Sequence, residues 1–361
     1  MGEKFLMKGN EAIAEAAIRA GCKCFFGYPI TPQTELIAYM AKNMGKVNGV
    51  FLQAESEIAA INMVYGCGGT GVRCMTSSSS PGISLMSEGI SYLAAAEIPC
   101  VLVDIVRCGP GLGGIQPAQS DYLFVNKGLG HGDFNILVYA PASIQEMTEL
   151  IHDAFDLSDL YRTPVMIMAD GMIGQMMEAV EFKDKEKREL PEKTWAANGL
   201  GNRKKHNIIN SLELNPEKLE ELNLKLQDKY KVIKEKESKY ELYNCENSCD
   251  LILVSYGITS RICKSVINLA KNDGINLGLI RPITTWPFPY EAFTKTLGKS
   301  KFGYLSVEMN CGQMVEDVKL AVNGNEEVRF YGRTGGMIPK VDEIYENIKS
   351  IIGGIENEYS L

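Results

Sequence analysis

The residues best placed to do chemistry fall in four short stretches, each following an apolar run that reads as a buried strand. In Gly27-Tyr28-Pro29-Ile30-Thr31-Pro32-Gln33-Thr34-Glu35 the run Cys24-Phe25-Phe26 comes first. A Tyr28-Pro29 turn follows, and Thr31 is expected to cap a helix whose first turn holds Pro32. Its hydroxyl then lies at the carboxyl end of a strand, where an open parallel sheet binds ligands; the plainer alternative is an ordinary capped turn. In the second stretch Gly49 to Gln53 runs into Ser56, a cap that leaves Glu57 in a first helical turn. An acid there ordinarily complements the helix dipole in solvent. Here Ile58, Ala59, Ala60, Ile61 and Met63 are small or apolar nearly all round, so the helix is expected to be buried, and a carboxylate at its mouth suits proton transfer.

The third stretch, Met75-Thr76-Ser77-Ser78-Ser79-Ser80-Pro81-Gly82, empties a strand into four serines before a helix begun by Pro81. Hydroxyls and free N–H groups at such a start suit an anion or a polar ligand. A serine nucleophile is disfavoured, because His131, His152 and His206 lie in no hydrolase-like setting. The fourth, Pro99 to Val106, ends in Arg107, whose guanidinium could grip a carboxylate through two parallel hydrogen bonds. Gly109, Gly111 and Gly114 formally fit G-x-G-x-x-G, but Pro110 interrupts them and no helical pattern opens afterwards. The chain from there to about Asp133 reads as one long mobile or ligand-covering loop.

The elements that must position these groups alternate strand and helix. Residues 1–182 give a doubly wound, largely parallel sheet: helix Glu11 to Ala20, the four edge motifs, strand Phe134 to Tyr139, helix Ser143 to Phe155 and strand Pro164 to Ala169. Residues 183–249 are dense in Lys and Glu and read as a linker or insertion, with an exposed helix from Pro216 to Lys239. A second βαβ series fills 250–361. The net charge of -8 and the scattered basic residues argue against nucleic acid. A secretory leader and a membrane span are not expected. The ten cysteines lie mostly in apolar runs, as reduced cytoplasmic thiols do, and Cys22-x-Cys24 and Cys245-x3-Cys249 lack the grouping of an iron–sulfur site.

Taken together and in this order, the four motifs resemble the alpha-type subunit of the thiamine-diphosphate-dependent 2-oxoacid:ferredoxin oxidoreductases, above all the 2-ketoisovalerate (3-methyl-2-oxobutanoate) branch. The likeness extends to Tyr256-Gly257, Leu279-Ile280-Arg281-Pro282-Ile283-Thr284, Glu308-Met309-Asn310-Cys311-Gly312-Gln313 and Gly332-Arg333. Many members carry Gly where this chain has Ser80, and the four-serine form points to the branched-chain type. The resemblance implies a pyrimidine-type thiamine-diphosphate domain followed by a domain like the carboxy-terminal domain of transketolase. It also implies oxidative decarboxylation of a 2-oxoacid with coenzyme A, reducing ferredoxin.

On the same resemblance, Glu57 hydrogen-bonds the aminopyrimidine ring and shifts its tautomer so that the exocyclic imine can deprotonate the thiazolium carbon, a cofactor-borne chemistry assisted by a protein acid. Glu55, outside the expected helix, should point elsewhere. Thr31 and Arg107 hold the substrate's oxygen and carboxylate, while Pro29, Ile30, Ser78 and Ser79 contact the cofactor. The Gly-Asp-Gly motif that holds Mg2+ is missing, since Ala169-Asp170-Gly171 and Asn272-Asp273-Gly274 lack its first glycine. Mg2+ and iron–sulfur clusters are therefore expected on beta-type, gamma-type and ferredoxin-like partner subunits, with a homodimer of this chain. Two other function classes compete: a nucleotide-binding dehydrogenase and a purely structural subunit. Purified alone, the chain should be colourless, inactive and a weak binder of thiamine diphosphate; iron–sulfur absorbance in the isolated polypeptide would contradict this.

Overall fold

The computed structural model describes residues 3–183 and 188–354. The chain opens with β1 (Lys4–Lys8), α1 (Gly9–Arg19), β2 (Cys24–Gly27), α2 (Thr34–Asn43), β3 (Val50–Gln53), α3 (Glu57–Gly69), β4 (Cys74–Ser78) and α4 (Ser80–Ala95). It continues through β5 (Cys100–Val106), α5 (Tyr122–Lys127), β6 (Leu137–Tyr139), α6 (Ile144–Tyr161), β7 (Pro164–Asp170), α7 (Gly171–Gln175) and β8 (Met177–Glu181). Next come α8 (Pro216–Lys236), β9 (Tyr240–Tyr243), β10 (Leu251–Val254), α9 (Gly257–Asn272), β11 (Leu277–Pro282), β12 (Thr284–Trp286) and α10 (Tyr290–Thr294). The last elements are β13 (Tyr304–Glu308), α11 (Met314–Val322), β14 (Val328–Gly332) and α12 (Val341–Ile352).

Among the described residues one sheet runs β12-β6-β7-β5-β4-β2-β3, parallel except for β12, and another runs β14-β13-β10-β11-β9, parallel except for β9. The expected α/β class with parallel-rich sheets is thus the observed one. In the larger sheet the chain steps outward from β2 to β3 and then returns across β2 to β4. The carboxyl ends of β2 and β4 therefore flank a switch point, which all four sequence motifs face.

Strand periodicity explains how the second sheet is held. On β10, Ile252 and Val254 join the core shared with the first sheet, whereas Leu251 and Leu253 turn to a separate core under α9 and α12. Tyr304 and Leu305 divide the same way on β13. Alternation of period two thus gives the second sheet two buried faces, one of them continuous with the first domain.

Polar clamps fix the pairing. Arg281 on β11 donates Nη1 and Nη2 to Glu146 of α6, both at 2.9 Å, and Nε to Glu241 of β9 at 2.6 Å. The stretch from Pro117 onward straps the domains together: Gln119 Nε2 donates to Tyr256 O at 2.9 Å, and its Oε1 accepts Met309 N–H at 3.0 Å. On α5, Tyr122 Oη and Lys127 Nζ donate to the buried Asp317 carboxylate of α11, each at 2.6 Å. The side chains of Arg281 and Glu308 themselves make structural contacts. The Glu308 carboxylate accepts the N–H groups of Gln313, Met314 and Val315 at the start of α11.

Several expectations need correction. The supposed single loop to Asp133 contains α5, and the charged stretch 183–249 supplies β9 to the second sheet. α8 is exposed on one side only: Leu226, Tyr230 and Ile233 are buried at helical spacing, Tyr230 meets Trp286 edge-on at 5.6 Å, and Lys229 pairs with Glu97 at 2.8 Å. Lys/Glu density hid a three-residue apolar stripe. Among the described residues no helix is long and apolar enough to cross a membrane. Because Ile233 is fully buried, Ile233→Ala should destabilise the protein by about 2–5 kcal/mol. Lys231→Ala, on the exposed face, should stay within about 0.5 kcal/mol; denaturant melts of both variants check the contrast.

Candidate active site

α2 begins at Thr34, two residues later than expected, with Gln33 rather than Thr31 before it. Gln33 is fully buried; its Nε2 donates to Tyr28 O at 3.2 Å, and its Oε1 accepts Ser77 Oγ–H at 2.7 Å. Pro32 O is held by Asn10 Nδ2 at 2.7 Å and Gln175 Nε2 at 2.8 Å. These ties fix the backbone on both sides of Thr31, leaving Thr31 and Pro29 exposed and Ile30 half-buried at the lip. Gln33 escaped the sequence reading because its role depends on a serine from another strand.

Ser56 caps α3 as expected, its Oγ accepting Ala59 N–H at 3.2 Å. Glu57 is only 5% exposed, and among the described residues its carboxylate has no hydrogen-bond partner. Glu55 stands in solvent. Glu57 is buried by α4, whose Gly82 presents no side chain: a methyl group there would overlap Ser78 Oγ and fall 2.6 Å from Glu57 Oε1. Seven residues on, a methyl on Gly89 would lie 2.5 Å from Ile61 Cγ2. α3 is not buried all round, however, since Ile58 and Asn62 face solvent.

The serines divide their work. Ser78 Oγ is buried without a partner, next to Glu57. Ser79, expected at the cofactor, instead donates its hydroxyl to Ile105 O at 2.7 Å and fastens β4 to β5. Ser80 Oγ accepts Arg107 N–H at 3.1 Å.

Arg107 is 7% exposed at the end of β5. Its Nη1 donates to Thr31 O and its Nη2 to Leu112 O, each at 3.0 Å, while Nε is buried without a partner. The two terminal nitrogens that were expected to fork around a carboxylate therefore tie the Thr31 and glycine loops together. The alternative pairing with Asp121 does not occur either, because Asp121 faces Asp104 and Ser80. No ion pair compensates Arg107 among the described residues. The glycine loop is closed on itself: Arg107 bridges Pro117, Cys108 N–H donates to Gln116 O at 3.0 Å, and Gly114 N–H to Cys108 O at 3.0 Å. Gly113, at φ +57°, sits where any side chain would strike Cys108 O. A dinucleotide fingerprint needs a helix on its glycines, and α5 starts only at Tyr122.

The edge thus presents an unpartnered carboxylate beside an unpartnered hydroxyl in a cradle that a Cβ would fill, with an uncompensated cation one strand away. That donor set fits the ring nitrogens of an aminopyrimidine next to an anionic substrate. Among the described residues no His, Cys, Asp or Glu group is arranged to hold a metal ion.

Fold and site together define an α/β chain of the thiamine-diphosphate-binding class. Residues 15–242 match the family "Pyruvate flavodoxin/ferredoxin oxidoreductase, thiamine diP-bdg", and 249–344 match "Pyruvate:ferredoxin oxidoreductase core domain II". The chain is 46% identical over 348 residues to ketoisovalerate oxidoreductase subunit VorB of Methanothermobacter marburgensis, covering 96% of this chain and 98% of that protein. It is 35% identical to 2-oxoglutarate synthase subunit KorA of the same organism, over 96% and 99% of the two chains. A solved 2-oxoglutarate:ferredoxin oxidoreductase from Magnetococcus marinus shares the fold at TM-score 0.85 and 24% identity, over 97% of this chain and 66% of that one. A split-gene transketolase does so at 0.60 and 11%. The chain belongs to the 2-oxoacid:ferredoxin oxidoreductase family and is an oxidoreductase subunit of that type.

Gly82 generates a direct prediction. Gly82→Ala should displace the Glu57 carboxylate and lower turnover of the assembled enzyme about tenfold or more, by analogy with misplacing a catalytic group. Thermal melting should shift by only a few degrees; wild-type kcat would show that Glu57 needs no such seat.

Proposed function

We propose that this chain supplies the pyrimidine side of a thiamine-diphosphate site shared with a partner subunit, and that the assembled enzyme oxidatively decarboxylates a branched 2-oxoacid of the 2-ketoisovalerate type. Coenzyme A takes the acyl group, carbon dioxide leaves, and ferredoxin takes the electrons. The observation that carries the reading is Glu57, a buried carboxylate with no protein partner, seated against Gly82 and Ser78. The names of the relatives and the four-serine edge support the branched substrate. Pyruvate and 2-oxoglutarate are the alternatives.

When bound, thiamine diphosphate supplies an electron sink for the pair released as carbon dioxide leaves. The protein's part is proton handling and placement. Glu57 would hold a proton against the aminopyrimidine ring, with Ser78 Oγ beside it and Pro29 and Ile30 at the lip. The charge on Arg107, unbalanced by any neighbouring acid, favours a bound anion, and with the Thr31 hydroxyl it would orient the 2-oxoacid. α3 and α4 close over the inner side of this edge and limit water there.

Exposed apolar residues ring the same edge, among them Leu52, Ile58, Leu85, Leu112 and Ile115. They suit a covering subunit, which would bring Mg2+; further gamma-type and ferredoxin-like subunits would carry the clusters. A homodimer of this chain, a cytoplasmic location and a first domain at 1–182, joined through 183–249 to a second domain that takes β9 from that stretch, complete the proposal.

In the reconstituted complex Glu57→Gln should lower kcat by about a hundredfold or more. Wild-type turnover would instead favour a structural subunit. Arg107→Lys keeps the charge but cannot hold Thr31 O and Leu112 O together, so kcat/KM should fall about tenfold to a hundredfold for every 2-oxoacid tested, with thiamine diphosphate affinity little changed. A panel of 2-ketoisovalerate, pyruvate and 2-oxoglutarate, followed by viologen reduction, decides the substrate.

A further inference from the structure

Behind Arg107 the sheet buries two acids against each other. Asp104, on β5, is fully buried, and Asp121, in the strap before α5, is 9% exposed. Their side chains interact directly, and the Oδ2 atom of each is buried without a hydrogen-bond partner. Asp104 Oδ1 accepts Ser80 N–H at 3.2 Å, and the Ser80 hydroxyl reaches Asp121 and the backbone of Arg107.

The surroundings offer no counter-charge. Beside Asp104 in the sheet lie Ser78 of β4 and Met168 of β7. Arg107 turns its guanidinium away to Thr31 O and Leu112 O. The phenol facing Asp121 from the second domain, Tyr256, donates to Gln119 O at 3.2 Å and is kept neutral by burial. Two ionised carboxylates interacting at close range, without a cation, would cost more than such a site can offset, whereas a single proton between them makes one a donor to the other.

We propose that Asp104 and Asp121 share one proton at neutral pH, and that this carboxylic acid–carboxylate pair is a positioning device: it holds Ser80, and through Ser80 the backbone of Arg107, at the substrate-facing edge. Burial and the neighbouring acid push Asp104 well above the usual carboxylate range, and burial raises Asp121. The effect on turnover rests on the role given to Arg107 above; the shared proton does not.

With both groups raised above their unfolded values, the native chain binds more protons than the unfolded one. Stability should therefore fall as pH rises from the unfolded carboxylate pKa of about 4 to the point where the pair loses its last proton.

Asp104→Asn supplies a permanent donor in place of the shared proton, whereas Asp104→Leu supplies none. Three measurements test the pair. Infrared spectra of the full chain at neutral pH should show a carboxylic-acid carbonyl band, sensitive to deuterium, that is absent from Asp104→Asn; its absence from wild type overturns the proposal. The fall in melting temperature with rising pH should be shallower in Asp104→Asn, and an unchanged slope counts against the shared proton. In the reconstituted enzyme Asp104→Leu should lower kcat/KM about tenfold or more, and Asp104→Asn should restore it to within about threefold of wild type, the behaviour expected of a positioning hydrogen bond. If Asp104→Leu does not fold, Asp104→Asn decides: a tenfold loss there overturns the positioning role. If Glu57→Gln is inactive while Asp104→Leu is not impaired, the positioning role is overturned and the site stands.

Discussion

Helices α3 and α4 meet where α4 has no side chains. Gly82 and Gly89 lie seven residues apart on one face, and opposite them Glu57 and Ile61 lie one turn apart, so a carboxylate fills the space at one glycine and an isoleucine that at the other. The lower contact is apolar and holds the helices together. The upper one brings an acid to the first turn of α4, where the positive end of the helix dipole favours negative charge. Close approach thus does two jobs: it buries the acid, and it leaves that acid without a protein partner. Ser78, the last residue of β4, completes the seat because β4 enters α4 through a single residue, Ser79.

Around that seat buried polar atoms serve as fastenings. Ser77 locks Gln33, Ser79 locks Ile105, Ser80 locks the Arg107 backbone, and Arg107 locks Thr31 to the glycine loop. Each bond is worth about 1 kcal/mol net, but breaking one would strand a buried donor or acceptor at greater cost. The loops at the ends of β2, β4 and β5 are therefore coupled, and a disturbance at Ser80 would reach Thr31 through Arg107.

The second domain contributes rigidity to this edge. Its inner face shares the first domain's core, Arg281 reaches across to Glu146, and Gln119 lies between Tyr256 and Met309. Gly336 packs so closely on Gln116 that a side chain would collide with it, which backs the closed glycine loop from the second domain's side. A loop bearing four glycines is held by its neighbours rather than by its own sequence.

Strand periodicity, cap residues and turn residues made much of this legible in one dimension: the alternating α/β series, the Ser56 cap, the placing of Glu57 and Arg107 at strand and helix ends, and motifs specific enough to mark the family. Those features depend on residues a few positions apart. Tertiary structure decided what depends on distant partners. Gln33 became a buried anchor because Ser77 lies beside it, Arg107 turned to two carbonyls instead of Asp121, and Asp121 met Asp104 because the strap crosses β5. α8 hid its apolar stripe among charges until Glu97 and Trp286 gave it a surface to cover. β12 joined the larger sheet by pairing antiparallel with the buried edge strand β6, a pairing no local pattern encodes.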